Sequence, residues 1–332
     1  MPYNYNAIVH TRAVKALLPR YSARAHLDIN TFKLELRGRG KRIELHPQFV
    51  MRRNGARAYT PRMAIDAPGF LGWRPYFNKV WPAAVDKASF KEYCGHHELP
   101  TPKQFKSGDV VDVDVLVKRS RSSFGQGIVG PLRPEDFKRL NLTMADGEFV
   151  EAFIEGGIGK FWFWNDTLAV IEIWPMIDVQ GDSHSTALQL IEAKRSTFAL
   201  LLPDERDCWA AALRFQGIEL ATVIPKGKTA IVDFRYQSSL HPPSMKNSNL
   251  LAEYRGTPVV EQLTAAGKVF WNAIPESVRE NVVYTIDAIV DPRQKIWFLE
   301  MNCNPLMHPD VYPLMFDSLL GSARAVAQEA VA

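Results

Sequence analysis

The sequence predicts an α+β fold. Segments that alternate apolar and polar residues with period two recur along the chain, turn residues join neighbouring ones into hairpins, and helix-like stretches stand among them. The clearest hairpin is 282–305, VVYTIDAIVDPRQKIWFLEMNCNP, with strands at 282–290 and 295–301. Its turn is Asp291-Pro292-Arg293-Gln294, with proline where its fixed φ suits a turn. Alternation puts Glu300 and Asn302 on one face and makes Asp287 their partner on the facing strand. Two carboxylates and an amide oxygen converging there repel one another unless a hard cation sits between them. Mg²⁺ is the natural ion, since it takes oxygen ligands and binds through one or two carboxylates plus phosphates. On spacing alone, acidic residues ending a strand on a solvated face would read the same way.

At 332 residues the chain exceeds what one core usually serves, so two or three subdomains are expected. Its 46% apolar and 23% charged residues fit a soluble protein with a large core. No run approaches the roughly 18–20 apolar residues of a membrane span. The opening MPYNYNAIVH lacks the charged-then-apolar order of a signal peptide. Cys94, Cys208 and Cys303 stand far apart without CxxC spacing, which argues for a reducing compartment and against a disulfide frame or zinc site. A cytoplasmic protein is expected. The net charge of +4 is uneven: residues 1–110 hold 19 Lys/Arg against 8 Asp/Glu, and the remainder 21 against 28. The basic residues gather in Arg37, Arg39, Lys41 and Arg42 and again in Arg52, Arg53, Arg57 and Arg62. They read either as a surface for nucleic acid or another acidic partner, or as a solvated arginine-rich face; no nucleic-acid-binding motif accompanies them.

In chain order, 7–18 reads as a helix and 29–36 and 43–51 as strands, with no GxGxxG and no repeat up to residue 80. Residues 83–94 read as a helix with Lys87 early on it, and Leu99-Pro100-Thr101-Pro102 as a stiff extended exit. A β-branched strand at 112–118 ends in Lys118 and runs into RSRSSFGQGIVG, 119–130. Serine and glycine there let backbone N–H groups approach phosphate oxygens, and the lysine supplies a point charge. An ordinary flexible hairpin loop has the same composition. Residues 149–154, FVEAFI, form a short strand closed by Glu155-Gly156-Gly157, whose free backbone edge suits adenine. An aromatic meander at 160–164 and 167–174, a helix at 204–216, a hairpin of 218–224 with 229–236, a helix at 259–273 and a tail helix at 311–330 complete the reading.

The ordered pieces Asp86-Lys87 with LPTP, then VLVKRSRSSFGQGI, then FVEAFIEG, then Asp287 with EMNCNP resemble ATP-grasp enzymes. That superfamily includes D-alanine-D-alanine ligase, glutathione synthetase and tubulin tyrosine ligase. The resemblance covers about 80–320 and rests on order and spacing, since no single piece is specific. It implies an ATP-grasp fold in which two α+β subdomains clasp the nucleotide: 81–148 with a phosphate flap, and 149–332 with an adenine hinge and metal site. A divergent basic region, 1–80, precedes them as the candidate acceptor-binding part; it does not read as the usual Rossmann-like leading domain. Carried over residue by residue, Lys87 and Lys118 bind phosphates, and Ser122, Ser123, Gly125 and Gly127 belong to the flap. Glu151 and Phe153 meet adenine, and Asp287, Glu300 and Asn302 hold Mg²⁺, or Mn²⁺ in its place. Two departures stand out. Thr285 occupies the place where many members carry an arginine that steadies the acyl phosphate, leaving Arg235 or Lys194-Arg195 for that task. Ile158 stands near the usual ribose-binding glutamate, leaving Glu155 or Lys160 for that contact.

The activity so implied is ATP- and Mg²⁺-dependent ligation of a carboxylate to an amine, or a thiol, through an acyl phosphate, with Lys118 and Arg235 as the catalytic cations. A kinase of the same fold that phosphorylates a hydroxyl is the alternative, as is a nucleotide-regulated nucleic-acid-binding protein. His184 and His241 lie in loops and receive no role.

Overall fold

The structure, a computed structural model, describes residues 7–53, 56–63, 69–106, 108–119, 128–140, 147–195, 205–236, 238–241 and 248–321. Helix α1 (Ala7–Leu17) leads into β1 (Arg24–Leu27), β2 (Leu34–Gly38), β3 (Lys41–Arg53), β4 (Ala56–Thr60) and β5 (Gly69–Arg74). Next come α2 (Lys87–His96), β6 (Gln104–Phe105), β7 (Val115–Arg119), β8 (Val129–Leu132), α3 (Pro134–Leu140) and β9 (Glu148–Ala152). The chain continues through β10 (Gly157–Trp164), β11 (Thr167–Trp174), β12 (Ile177–Gln180), α4 (Ala187–Lys194), α5 (Glu205–Phe215) and β13 (Thr229–Asp233). It closes with α6 (Pro258–Asn272), α7 (Glu276–Arg279), β14 (Val283–Val290), β15 (Ile296–Cys303) and α8 (Tyr312–Leu320).

The described strands form four antiparallel sheets: β1-β2-β3-β4 with β5 also on β3, then β6-β9-β7-β8, then β11-β10-β14-β15, and the ribbon β12-β13. The α+β class expected from the sequence is what the chain adopts. No helix among the described residues is long and apolar enough to cross a membrane.

Alternation gives each face of the β11-β10-β14-β15 sheet its own neighbours. Phe161, Phe163, Ile171, Tyr284, Ile286 and Phe298 pack against Leu263 and Phe270 of α6 and Phe90 and Cys94 of α2. On the opposite face Trp162, Trp164, Val170 and Val283 share a core with Tyr312, Met315 and Phe316 of α8 and with Leu36, Leu45, Phe49 and Phe70 of the first sheet. The first sheet, which lies within 1–80, thus shares its core with β10, β11, β14 and α8. Helix α2, expected with 81–148, belongs to the core of the third sheet, while Phe105, Val111, Val115, Val117, Val150 and Ala152 make that of the second.

Three segments differ from expectation. Residues 29–36 begin with a turn, not a strand: Asp28 accepts bonds from the Asn30 amide and Thr31 hydroxyl, Phe32 takes φ of 58°, and pairing starts at Leu34. Residues 218–224 do not pair with 229–236, because β13 takes β12 as its partner. The carbonyls of Leu220 and Thr222 instead accept from the Leu188 and Ala187 amides, the donors that the first turn of α4 leaves open. The tail helix stops at Leu320, where Gly321 adopts φ of 90°, a conformation that suits glycine; 322–332 lie outside the described residues.

The basic run at 37–42 bonds groups of the chain itself, although Arg37 and Arg42 stay exposed. Arg37 and Arg42 both donate to Glu35. Arg39 Nη1 donates to the Gly321 carbonyl at 2.6 Å and Lys41 Nζ to the Leu319 carbonyl at 2.9 Å, at the negative end of α8. Each of the four cations has a bond within the chain, and a nucleic-acid partner finds no support in this run.

The shared core holds one group sensitive to acid. His10 is fully buried, hydrogen-bonded through Nδ1 to the Tyr312 hydroxyl at 2.8 Å, and edge-on to Phe70. Burial, assisted by His308, lowers its pKa from 6.5 to about 3. In the unfolded chain the ring takes a proton near pH 6.5. Its contribution is therefore complete above that pH and lost as pH falls from 6.5 toward 3, with a slope of about 1.4 kcal/mol per unit. His10→Gln is expected to show a shallower fall in urea midpoint between pH 7 and pH 5 than the unchanged chain. Parallel slopes would assign the acid sensitivity elsewhere.

Candidate active site

Across the third sheet, four ionisable residues stand in one row. Register places Glu172 of β11 opposite Lys160 of β10, Lys160 opposite Asp287 of β14, and Asp287 opposite Glu300 of the edge strand β15. Directly opposed residues share a face, so the order across the sheet is acid, base, acid, acid. Lys160 Nζ lies 2.7 Å from Asp287 Oδ1, and Asn302 Nδ2 donates to Asp287 Oδ2 at 3.3 Å. Beyond the edge, Lys87 Nζ lies 3.1 Å from Glu300 Oε2. The hairpin reading of Asp287, Glu300 and Asn302 thus places the three together.

Helix α2 links this row to the second sheet. Asp86 caps it, accepting from the Ala88 amide at 3.1 Å, which sets Lys87 in the first turn. Lys91, one turn on, shares a face with Lys87. Its ammonium bonds Glu151 Oε2, and Lys118 of β7 bonds Glu151 Oε1. Lys118 and Glu151 lie on one face of the second sheet with Leu116 and Phe149, and the other face carries Val115, Val117 and Val150 into the core. Two ionic clusters therefore lie on either side of one turn of α2: Lys118, Glu151 and Lys91 at one, and Lys87, Glu300, Asp287 and Lys160, with Glu172 next in the row, at the other. The second cluster holds Lys87 with the three expected metal ligands, Asp287, Glu300 and Asn302, and Lys118 belongs to the first.

The charges are unequal to their surroundings. Burial pushes the Asp287 carboxyl up, Lys160 pulls it down and Glu300 pushes it up again, to about 6. Burial works against the Lys160 ammonium, but Asp287 outweighs it, with Glu300 and Glu172 adding to that, so its pKa is raised. Glu151 is also opposed by burial, and Lys118 and Lys91 overcome it and lower its pKa. Asp287, raised chiefly by burial and then by Glu300, is paired with the Lys160 ammonium, while Lys87 pairs with Glu300. Such a donor set fits a hard divalent cation. Among the described residues no group of three or more His, Cys, Asp or Glu stands together as a metal cage. An ion on Asp287, Glu300 and Asn302 would thus complete its shell with oxygens from outside the chain.

Other expected residues are placed differently. Glu151, expected at adenine, is 1% exposed and held between two ammonium groups. The strand edge expected to be free is occupied: β9 lies between β6 and β7, and the Ala152 and Phe153 amides donate to the Lys103 and Asp114 carbonyls. Phe153 packs edgewise between Phe215 and Phe234, and Glu155 is exposed in the following turn. Arg235 is not in the row. It forms a two-pronged pair with Asp233 at 3.0 Å, near Glu205 and beneath the Ser238 hydroxyl that also bonds Asp233. Lys194 bonds Asp178 on the ribbon. Ser122, Ser123, Gly125 and Gly127 lie outside the described residues.

Sequence reasoning did not anticipate Lys91 or Glu172, nor Lys160 beside Asp287. Each left a trace: Lys91 repeats Lys87 at helical spacing, and Lys160 and Glu172 are single charges in the apolar runs KFWFW and TLAVIEIW. Glu172 is buried and accepts from the Tyr236 hydroxyl at 2.9 Å and the Trp174 indole at 3.3 Å. Thr285 is also fully buried on this face, opposite Asn302, and its hydroxyl bonds no described group.

No family model and no curated protein matches the chain. Solved structures do match. One is a bifunctional glutathione synthetase from Pasteurella multocida, at 16% identity and a TM-score of 0.41, over 94% of this chain and 43% of that one. Another is D-alanine–D-alanine ligase from Bacillus anthracis complexed with ATP, at 14% identity and 0.36, over 74% and 68%. A third is L-amino acid ligase from Bacillus licheniformis, at 12% identity and 0.31, over 72% and 46%. These are ATP-grasp ligases. The chain spans less than half the length of the synthetase, and at these TM-scores the reading of the site rests on its own side chains.

Proposed function

We propose that the chain is an ATP-dependent ligase of the ATP-grasp type that activates a carboxylate as an acyl phosphate and joins it to an amine. The observation that carries this is two ionic clusters joined by α2: Glu151 between Lys118 and Lys91, and Glu300 on Lys87 with Asp287 opposite it on Lys160. Transfer of a phosphoryl group asks little covalent chemistry of a protein; it asks for positioning and for neutralisation of phosphate oxygens. Lys87 and Lys118 are the cations for the nucleotide phosphates. Asp287, Glu300 and Asn302 would hold Mg²⁺, which when bound supplies charge neutralisation between phosphate oxygens. Lys160, bonded to Asp287, is the cation placed to steady the acyl phosphate where Thr285 replaces the family's arginine. Arg235, turned into its own buried pair, is not assigned that task. The substrate carboxylate attacks the γ-phosphorus and ADP leaves; the amine then attacks the acyl carbon and phosphate leaves. Cys94, Cys208 and Cys303 form no disulfide among the described residues, which suits the cytoplasm as the compartment.

The test is mass spectrometry of products after incubation with ATP, Mg²⁺ and a cell extract. ADP, free phosphate and a new amide are expected. ADP with a phosphorylated acceptor would replace ligase by kinase. An absence of Mg²⁺-dependent ATP consumption with every acceptor fraction would remove the enzyme reading altogether.

A further inference from the structure

Building on the nucleotide site just described, we propose that Lys91 is a positioning residue: it keeps the buried Glu151 carboxylate neutralised when Lys118 leaves it for a phosphate. Each oxygen of Glu151 has its own ammonium, Lys91 on Oε2 and Lys118 on Oε1. The two lysines differ in freedom. The Lys118 side chain is 16% exposed at the end of β7, whereas that of Lys91 is 7% exposed and lies on α2 between Phe90 and Cys94, both in the core.

Two ammonium groups on one carboxylate leave an excess positive charge where burial makes charge costly. That excess is what an anionic ligand relieves, and Lys118 is the partner able to turn toward it. Were Lys118 the sole counter-ion, its departure would strand a buried carboxylate, and the lysine would stay where it is. Lys91 removes that obstacle without touching the nucleotide. It stands one turn from Lys87, so α2 serves both phosphate lysines: it presents Lys87 directly and releases Lys118 through Glu151.

Isothermal titration with Mg-ATP and with adenosine tests this on the unchanged chain, Lys91→Met, Glu151→Gln and the double variant. Lys91→Met is expected to weaken Mg-ATP binding about tenfold and to leave adenosine binding as it was. Glu151→Gln, which frees Lys118, is expected to tighten Mg-ATP binding. The double variant is expected to recover the affinity that Lys91→Met lost, because a neutral amide in place of the carboxylate no longer needs a cation. Structural damage at position 91 would not be repaired in this way. Wild-type affinity in Lys91→Met, or a double variant as weak as Lys91→Met, overturns the proposal. If Lys91→Met fails to fold, Glu151→Gln decides alone, and weakened Mg-ATP binding there overturns it. An unchanged chain that does not bind Mg-ATP defeats the ligase reading itself, a result distinct from these.

Discussion

Glu300→Gln is expected to lower Mg²⁺-dependent ATP consumption by about 10²–10³-fold while leaving the fold intact. Glu300 stands opposite Asp287 on the edge strand, and its ion-pair partner is the Lys87 ammonium 3.1 Å away. Removing its charge has two consequences of opposite sign for the nucleotide. The donor set for a divalent cation drops to one carboxylate, so the neutralisation of phosphate oxygens during transfer is lost. Lys87 loses its pair with Glu300, so ATP binding in metal-free buffer is expected to hold or tighten. Residues that fix β15, namely Ile296, Phe298 and Met301, point into the core and are untouched. The measurement is ADP production with a cell extract as the source of acceptors, set beside ATP titration in EDTA and a thermal melt. Turnover at the unchanged rate, with an unchanged melt, would show that the carboxylate row is not the reacting site.

The site hairpin was legible because it is local. A turn with proline at its second position marks the hairpin, and alternation puts Glu300 and Asn302 on one face; that Asp287 is their partner depends also on a bulge at Leu299, where the register shifts by one, which spacing alone does not show. The alternating meander of β10 and β11 and the amphipathic helices α5 and α6 were legible for the same reason. What the sequence hid is non-local. Strand β13 has a turn and a β-branched run immediately upstream, yet pairs with β12, some fifty positions away, because the 218–224 carbonyls are taken by the amides of α4. Strand β5 is buried over Phe70–Arg74 and shows no alternation, so nothing marks it as a strand until β3 lies beside it. The same holds for function. Lys118 and Glu151 were both singled out, but for separate parts of the nucleotide. Only the tertiary fold shows that they bond each other and that Lys91 completes the set.

Lys160→Met is expected to reduce turnover about 10³-fold with little change in ATP affinity, and Lys160→Arg to restore most of it. Lys160 is the cation bonded to Asp287, and Thr285, two residues earlier, carries no charge to share the task. A lysine that merely neutralised the row would, when lost, cost folding stability by stranding Asp287, whereas one that steadies developing negative charge acts on the rate constant and not on nucleotide binding. The variant also carries its own pH signature. Lys160 is what pulls the buried Asp287 carboxyl down toward about 6, so its loss sends that carboxyl higher. Protons then compete with Mg²⁺ for Asp287 over a wider range, and the Mg²⁺ concentration for half-maximal rate is expected to climb more steeply between pH 8 and pH 6 in Lys160→Met than in Lys160→Arg. Equal slopes in the two variants, or a loss of ATP affinity that accounts for the whole fall in rate, would move Lys160 out of the reaction and leave the role vacated at Thr285 to another residue.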